Sequence, residues 1–394
     1  MNDLGFLPFD ADNHYYEAID AFTRHLDPAL GPRCVEWAEV NGRRYHVVGG
    51  MLSRAVTNPT FDPIAPPGAM HDYFRGNPEG KSPLEFLKAR ESIRPAYRQR
   101  EARVEALDEF GLSSVWLFPT LGMLYEELLK HDPFAVCATY EAFNRWVDDD
   151  WGFDRGDGRI FTAPYLALAD VDWACRELEW AIDHGARMIV MRAAAPTTET
   201  GVHSPFDVHF DPFWARLNEA GIPLVIHAGD TGWSSNGYAE DDFGATFSGG
   251  WKPSVKSFAI ERSAADFVIS SVFEKMFDRF PNLRMASVEN GSTFLADVIK
   301  KLRSTDLKMP GYFTSDPVRS LQQGWWINPF WEDDVNEVVS LMGADRVIFG
   351  SDWPHIEGMP EPLDYVPELA KLTDEERRMV LLDNVVELNT PRPT

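Results

Sequence analysis

Short, continuous apolar runs recur along the chain, separated by longer amphipathic stretches, and this alternation constrains the fold more than any other feature. Eight runs stand out, at residues 6–12, 113–119 (SSVWLFP), 160–168, 188–194 (MIVMRAA), 223–229 (PLVIHAG), 284–291 (RMASVENG), 324–330 (GWWINPF) and 347–352 (VIFGSD). They are continuous rather than alternating, as parallel strands buried on both faces require. Stretches at 97–110, 132–151, 211–220, 264–280, 293–303 and 333–342 read as helices. Asp-Pro starts at Asp132 and Asp211 and glycine stops at Gly111, Gly221 and Gly343 mark their ends. Eight strands, each feeding a helix, predict an α/β chain closed into a (β/α)8 TIM barrel. An open doubly wound sheet also alternates, but the GxGxxG phosphate fingerprint is absent and eight units suit closure better.

Residues 27–95 interrupt the repeat. They hold a Pro- and Gly-rich string (FDPIAPPGAM) and a hairpin pattern in which Asn41-Gly42 joins 35–40 to 43–48. The segment is too long for a plain connection. It reads as an insertion after the first strand of a single domain spanning 1–394, capping the barrel mouth or meeting a second subunit. Residues 373–388 (TDEERRMVLLDNVVEL) read as a closing helix.

Composition narrows the partners. Lys and Arg number 37 against 62 Asp and Glu, a formal charge of −25, with no basic cluster to release counterions from a polyanion. Nucleic acid is therefore excluded as a partner. Cys34, Cys137 and Cys175 form neither a CxxC pair nor a disulfide framework, which fits a reducing compartment. The first residues carry Asp3 and lack the cationic start and apolar core of a signal peptide, and no run of about 18 apolar residues occurs. The expectation is a cytoplasmic protein with no membrane contact.

In a parallel barrel the reactive groups stand at the C-terminal ends of the strands. Here those positions carry Asp12 and His14 on the first strand, Arg192 on the fourth and His227 on the fifth, then Glu289 on the sixth, Asp352 on the eighth and His355 just beyond. Asp12 and His14 are two apart and so point to the same side of a strand. With one ligand each from strands five and eight they make a mixed nitrogen–oxygen site that suits Zn²⁺ or Mn²⁺. Other readings stay open: Asp12 as a loop cap, His14 as a core histidine, and Glu289 in a salt bridge to a barrel arginine. Arg192 either binds a substrate carboxylate or pairs with Glu289. Glu17 reads as a structural partner, and His203 and His209 as bystanders.

Four strings, DADNH at 10–14, IHAG at 226–229, FGSDWPH at 349–355 and DNVVEL at 383–388, occur in order at barrel-strand ends and in the last helix. Through them the chain resembles the amidohydrolase superfamily, in particular the amidohydrolase-related group that includes aminocarboxymuconate-semialdehyde decarboxylase and hydroxybenzoate decarboxylases. The resemblance implies one divalent metal ion, held by Asp12, His14, His227 and Asp352. Asp12 stands where the group usually has His, and Glu289 where strand six usually presents His. No Lys ends strand four, so the bridge of two-metal relatives is missing. Catalysis is expected from Asp352, Glu289 and His355, with Arg192 and Trp353 touching substrate. Trp233, Trp251, Trp325, Trp326 and Trp353, following strands five, seven and eight, suggest an aromatic or extended apolar pocket. The expected reaction is hydrolysis of a small organic acid or aromatic compound by a metal-activated water. The alternatives are nonoxidative decarboxylation of an aromatic or unsaturated acid, and a non-catalytic binding barrel. A homodimer or higher homo-oligomer is expected.

Overall fold

A computed structural model of the chain describes residues 4–56, 58–232 and 255–394. Seven strands follow the predicted runs: β1 (Phe9–Tyr15), β2 (Ser114–Pro119), β3 (Ile160–Thr162), β4 (Ile189–Arg192), β5 (Leu224–His227), β6 (Met285–Val288) and β7 (Trp325–Ile327). β1, β2 and β3 pair in parallel, as do β4, β5, β6 and β7 in that order. Backbone bonds join the two sets: Leu166 N–H donates to Val190 O (3.0 Å), and Val190 N–H to Pro164 O (3.0 Å). Residues 347–353 are the eighth segment. Ile348 N–H donates to Ile327 O (2.9 Å), Ala11 N–H to Phe349 O (2.8 Å) and His14 N–H to Trp353 O (2.8 Å), so the ring closes on β1. The predicted barrel is the observed fold. Every residue of β1 to β7 is buried, which explains why these runs lack alternation.

Helices surround the ring: α1 (Arg100–Phe110), α2 (Gly122–Leu129), α3 (Pro133–Asp150), α4 (Val171–Asp183), α5 (Asp211–Ala220), α6 (Ala259–Phe273), α7 (Leu295–Lys308), α8 (Pro317–Gly324) and α9 (Val335–Met342). The expected caps operate. The Asp132 carboxylate accepts from Ala135 N–H, and Gly111 and Gly221 end their helices in the left-handed region at φ 74° and 61°. The helix expected over 264–280 starts earlier and stops at Phe273, because Lys275 turns left-handed (φ 55°) before a short helix at Met276–Arg279. The closing helix is three pieces, with a wide π turn over Met379–Asp383.

In the 27–95 segment, Val35–Val40 and Arg43–Val48 pair antiparallel as expected. Asn41 (φ 52°) and Gly42 (φ 74°) take the positive angles that a two-residue hairpin turn needs. The segment then returns to the C-terminal end of the eighth strand. There Gly68 N–H donates to His355 O (2.9 Å), Met70 N–H donates to Ile356 O (2.8 Å), and the His71 ring stacks on Trp331.

Candidate metal centre

The end of β1 is locked before any chemistry is considered. Asp10 accepts hydrogen bonds from the backbone N–H of Asp12 (3.1 Å) and Ser351 (2.9 Å), from Asn13 Nδ2 (2.9 Å) and from Ser351 Oγ (2.6 Å). Its carboxylate thus stitches β1 to the eighth strand. Arg103 of α1, fully buried, donates to Asn13 Oδ1, to His14 O (2.5 Å) and to Ala96 O (2.7 Å), and its guanidinium lies over Trp353. Gly350 permits the closest approach of the eighth strand, since a Cβ there would collide with the Asp12 side chain.

Asp12 and His14, on the opposite side of the strand from Asn13, meet His227 and Glu289. The Nε2 atoms of His14 and His227 each stand 3.3 Å from Asp12 Oδ1 and 3.4 Å from Glu289 Oε2. On the far side of each ring, His14 Nδ1 lies 3.2 Å from Pro119 O and His227 Nδ1 3.0 Å from Ala228 O. A carbonyl only accepts, so each Nδ1 carries a proton and each Nε2 faces the carboxylates, meeting them through a second proton or, as a lone pair, through a shared cation. Such lone pairs cannot rest against carboxylate oxygens without a cation between them. Donor atoms around one divalent ion with bonds of about 2.0–2.2 Å stand roughly 3–3.6 Å apart, as each imidazole nitrogen here does from both carboxylates. Asp12 Oδ2 and His14 Nε2 are buried without a hydrogen-bond partner among the described residues. Asp12, His14, His227 and Glu289 together fit a divalent ion, with the second imidazole nitrogen tied to a backbone carbonyl as metal-bound histidines usually are.

Electrostatics point the same way. Burial opposes the charge on Asp12, but hydrogen bonds and charge from His14 and His227 outweigh it and hold the carboxyl below its ordinary value. Burial likewise opposes protonation of His14, yet Asp12 and Glu289 draw its pKa up to about 9. The field that favours a proton there favours a metal cation equally.

Beside this set, Asp352 Oδ1 lies 3.4 Å from His14 Nε2 and 2.7 Å from His355 Nδ1. The His355 ring stacks on His14 with centroids 3.9 Å apart. Thr120 Oγ1 spends its single proton on Tyr15 O (2.8 Å), so His355 Nε2, 2.9 Å away, must donate to it. That leaves His355 Nδ1 as an acceptor facing Asp352. Burial, then Glu289, Glu357, Asp12 and Asp10, push Asp352 well above the usual carboxylate range. Burial and the neighbouring imidazoles and Arg103 push His355 well below its ordinary value. Glu289 and Asp352 both adopt positive φ (58° and 57°), conformations that non-glycine residues hold only when the surroundings dictate them, and these cluster at functional sites.

Two residues expected to touch substrate are placed otherwise. Arg192 pairs with neither substrate space nor Glu289; its Nη1 donates to Glu127 Oε2 (2.6 Å) and its Nε lies 3.2 Å from Glu126 Oε1. The side chain of Trp353 is buried against Tyr97, Phe110 and Arg103. Trp325 and Trp326 are likewise core residues, the first donating to Ser271 Oγ (3.0 Å). Trp233 and Trp251 lie outside the described residues. The sequence reading also missed four contributors. Glu357 is drawn up to about pH 7 by burial and Glu289, Arg103 anchors β1, and Glu126 with Glu127 engages Arg192. Glu357 sits two residues past His355 in a loop, a position that no strand-end rule reaches.

Fold and site define a class: a (β/α)8-barrel enzyme whose mouth gathers a carboxylate–imidazole set able to hold a divalent ion. A sequence profile of the amidohydrolases matches residues 122–388. An amidohydrolase from Mycobacterium avium subsp. paratuberculosis K-10 is 37% identical and superposes with a TM-score of 0.91, covering 99% of this chain and 100% of that one. The chain belongs to the amidohydrolase family and is an enzyme of that superfamily. More distant likenesses, in fold alone, include a dihydroxybenzoic acid decarboxylase from Polaromonas sp. JS666, solved with manganese and 2-nitroresorcinol (16% identity, TM-score 0.58, 82% of this chain and 93% of that one). Another is a 5-carboxyvanillate decarboxylase from Novosphingobium aromaticivorans DSM 12444, solved with manganese and 4-hydroxy-3-methoxy-5-nitrobenzoic acid (12% identity, TM-score 0.56, 99% and 97%). No functionally curated protein matches the chain. Among the described residues no helix is long and apolar enough to cross a membrane.

Proposed function

We propose that the protein is a hydrolase acting on the carbonyl of a small, uncharged organic or aromatic substrate. It holds one divalent ion, Mn²⁺ or Zn²⁺, through Asp12, His14, His227 and Glu289. The observation that carries the reading is the Asp352–His355 pair, 2.7 Å apart and adjoining the donor set at His14. A bound divalent ion supplies Lewis acidity and lowers the pKa of water. Asp352, made strongly basic by burial and its carboxylate neighbours, takes the proton of the attacking water at Oδ. Once protonated, Asp352 donates to His355 Nδ1, whose ring is fixed by donation to Thr120. The same proton then passes to the leaving group as the carbonyl–heteroatom bond breaks.

The charge balance supports an uncharged substrate. Asp12, Glu289 and Asp352 converge on the site, while the flanking guanidinium groups are committed, Arg192 to Glu126 and Glu127, Arg103 to backbone and amide oxygens. Among the described residues, a carboxylate substrate would find neither of these guanidinium groups free to pair with it. We further read residues 1–394 as one domain in which 27–95 covers the mouth, and the assembly as a homodimer.

The test is isotopic. Protein loaded with Mn²⁺ or Zn²⁺ is offered uncharged aryl esters, lactones and amides beside hydroxybenzoates, in water enriched in ¹⁸O. Entry of ¹⁸O into the acid product from an uncharged substrate, lost in Asp352→Asn, supports hydrolysis. Release of CO₂ from a hydroxybenzoate, with no ¹⁸O in the aromatic product, would replace it with the carboxy-lyase reading.

A further inference from the structure

β4 and β5 are register partners, with Arg192 directly beside His227 across the ladder. Arg192 is buried, and its charge is met by two carboxylates of α2 rather than by the site. Glu126 is held in turn by the Tyr165 hydroxyl, which donates to it at 2.6 Å, and Glu127 by Lys130. The same guanidinium reaches past them: Arg192 Nη1 also donates to Asp230 O at 3.1 Å. From the other side, the backbone N–H of Asp230 donates to Met123 O of α2 (3.2 Å). Gly229 lies so close that a Cβ would stand 2.6 Å from that same carbonyl. The tripeptide 228–230 is therefore clamped between α2 and Arg192. Its first carbonyl, Ala228 O, is the acceptor that fixes the proton of His227 on Nδ1.

We propose that Arg192, through Glu126 and Glu127, is a positioning residue of the metal centre and not a substrate ligand. It ties α2 to the 228–230 turn and so holds Ala228 O where it enforces the Nδ1–H form of His227, leaving Nε2 to bind the ion. The inference rests on the reading of Asp12, His14, His227 and Glu289 as a metal centre, but it makes a separate claim about the tautomer of His227. Partners that orient a metal-bound histidine are worth about 10- to 100-fold in metal affinity.

Replacing Arg192 alone would strand two buried carboxylates, so the informative variant combines Arg192→Met with Glu126→Gln and Glu127→Gln, its folding checked by circular dichroism. Two quantities are compared with the unsubstituted protein. One is the ¹⁵N signature of His227 in metal-free protein, assigned with His227→Gln; the other is Mn²⁺ affinity by titration. The expected result is a mixed or reversed His227 tautomer and Mn²⁺ binding about 10- to 100-fold weaker. A folded variant with the unsubstituted tautomer and affinity overturns the proposal. So does a raised KM with both quantities unchanged, which would make Arg192 a substrate contact. If the unsubstituted protein takes up no Mn²⁺, the metal-centre reading fails, and the tautomer comparison still decides the role of Arg192.

Discussion

At the scale of single residues, the geometry turns on which nitrogen carries a proton. Pro119 O and Ala228 O fix His14 and His227 with Nε2 inward, against Asp12 and Glu289. Replacing His227 or Asp352 with Ala is expected to abolish turnover while circular dichroism and melting stay near normal, because barrel-mouth residues serve function more than stability. Near-normal turnover in either variant would mean the assigned roles are wrong. Asp12→Asn keeps the shape but removes an anionic donor, so metal titration should show clear weakening; a loop cap would tolerate Asn well. Arg103→Met should act on stability instead. It orphans His14 O, Ala96 O and Asn13 Oδ1, and about 3 kcal/mol or more of unfolding free energy should be lost, measured by denaturant titration. Asp12, His14, His227, Glu289, Asp352 and His355 were all legible as ionisable groups at strand ends, and the structure brings them together. Arg192 was legible only as a residue type. Its partners come from α2, a short apolar helix without a motif, so sequence could not say that its charge was already taken.

At the scale of elements, two contacts carry predictions. The eighth strand meets β1 at Gly350, where any side chain collides with Asp12 and approaches Asn328 Nδ2 to 2.8 Å. Gly350→Ala should cost about 2 kcal/mol and weaken metal binding together, since the clash displaces a ligand; lost stability with unchanged affinity would show that Asp12 is not a ligand. The hairpin seats His46 in a buried site against the Tyr125 hydroxyl (2.7 Å), and burial lowers its pKa from 6.5 to about 3. The folded state thus resists a proton that the unfolded chain accepts below pH 6.5. The stabilisation from neutral His46 is full above that pH and is lost as pH falls towards 3. Between pH 6.5 and 5 the loss is about 1.5–2 kcal/mol, measured as the difference in unfolding free energy between this protein and His46→Leu; identical pH profiles would contradict it. Strands were legible because burial on both faces leaves continuous apolar runs. Helix ends were less so: the break at Lys275 depends on a left-handed residue with no glycine to announce it, and α4, though capped by Asp170, went unpredicted.

At the scale of the molecule, barrel closure brings the strand ends into one buried site, and the 27–95 segment reaches its edge at residues 355–356. Asp12, His14, His227 and Asp352 are each about 1% exposed and Glu289 is the most open member of the set. Closure followed from counting eight strand–helix units, whereas the path of the insertion back to residues 355–356 depends on backbone bonds that leave no sequence signal. Light scattering at tens of micromolar should report a dimer mass; a monomer would refute the proposed assembly. Binding of one divalent ion by the carboxylate–imidazole set is measured by equilibrium dialysis of the metal-stripped protein against Mn²⁺ and Zn²⁺, followed by elemental analysis, alongside His227→Ala. One ion per chain, bound at low micromolar or tighter and lost in the variant, is the predicted result. Equal uptake by both proteins, or none by either, would contradict it.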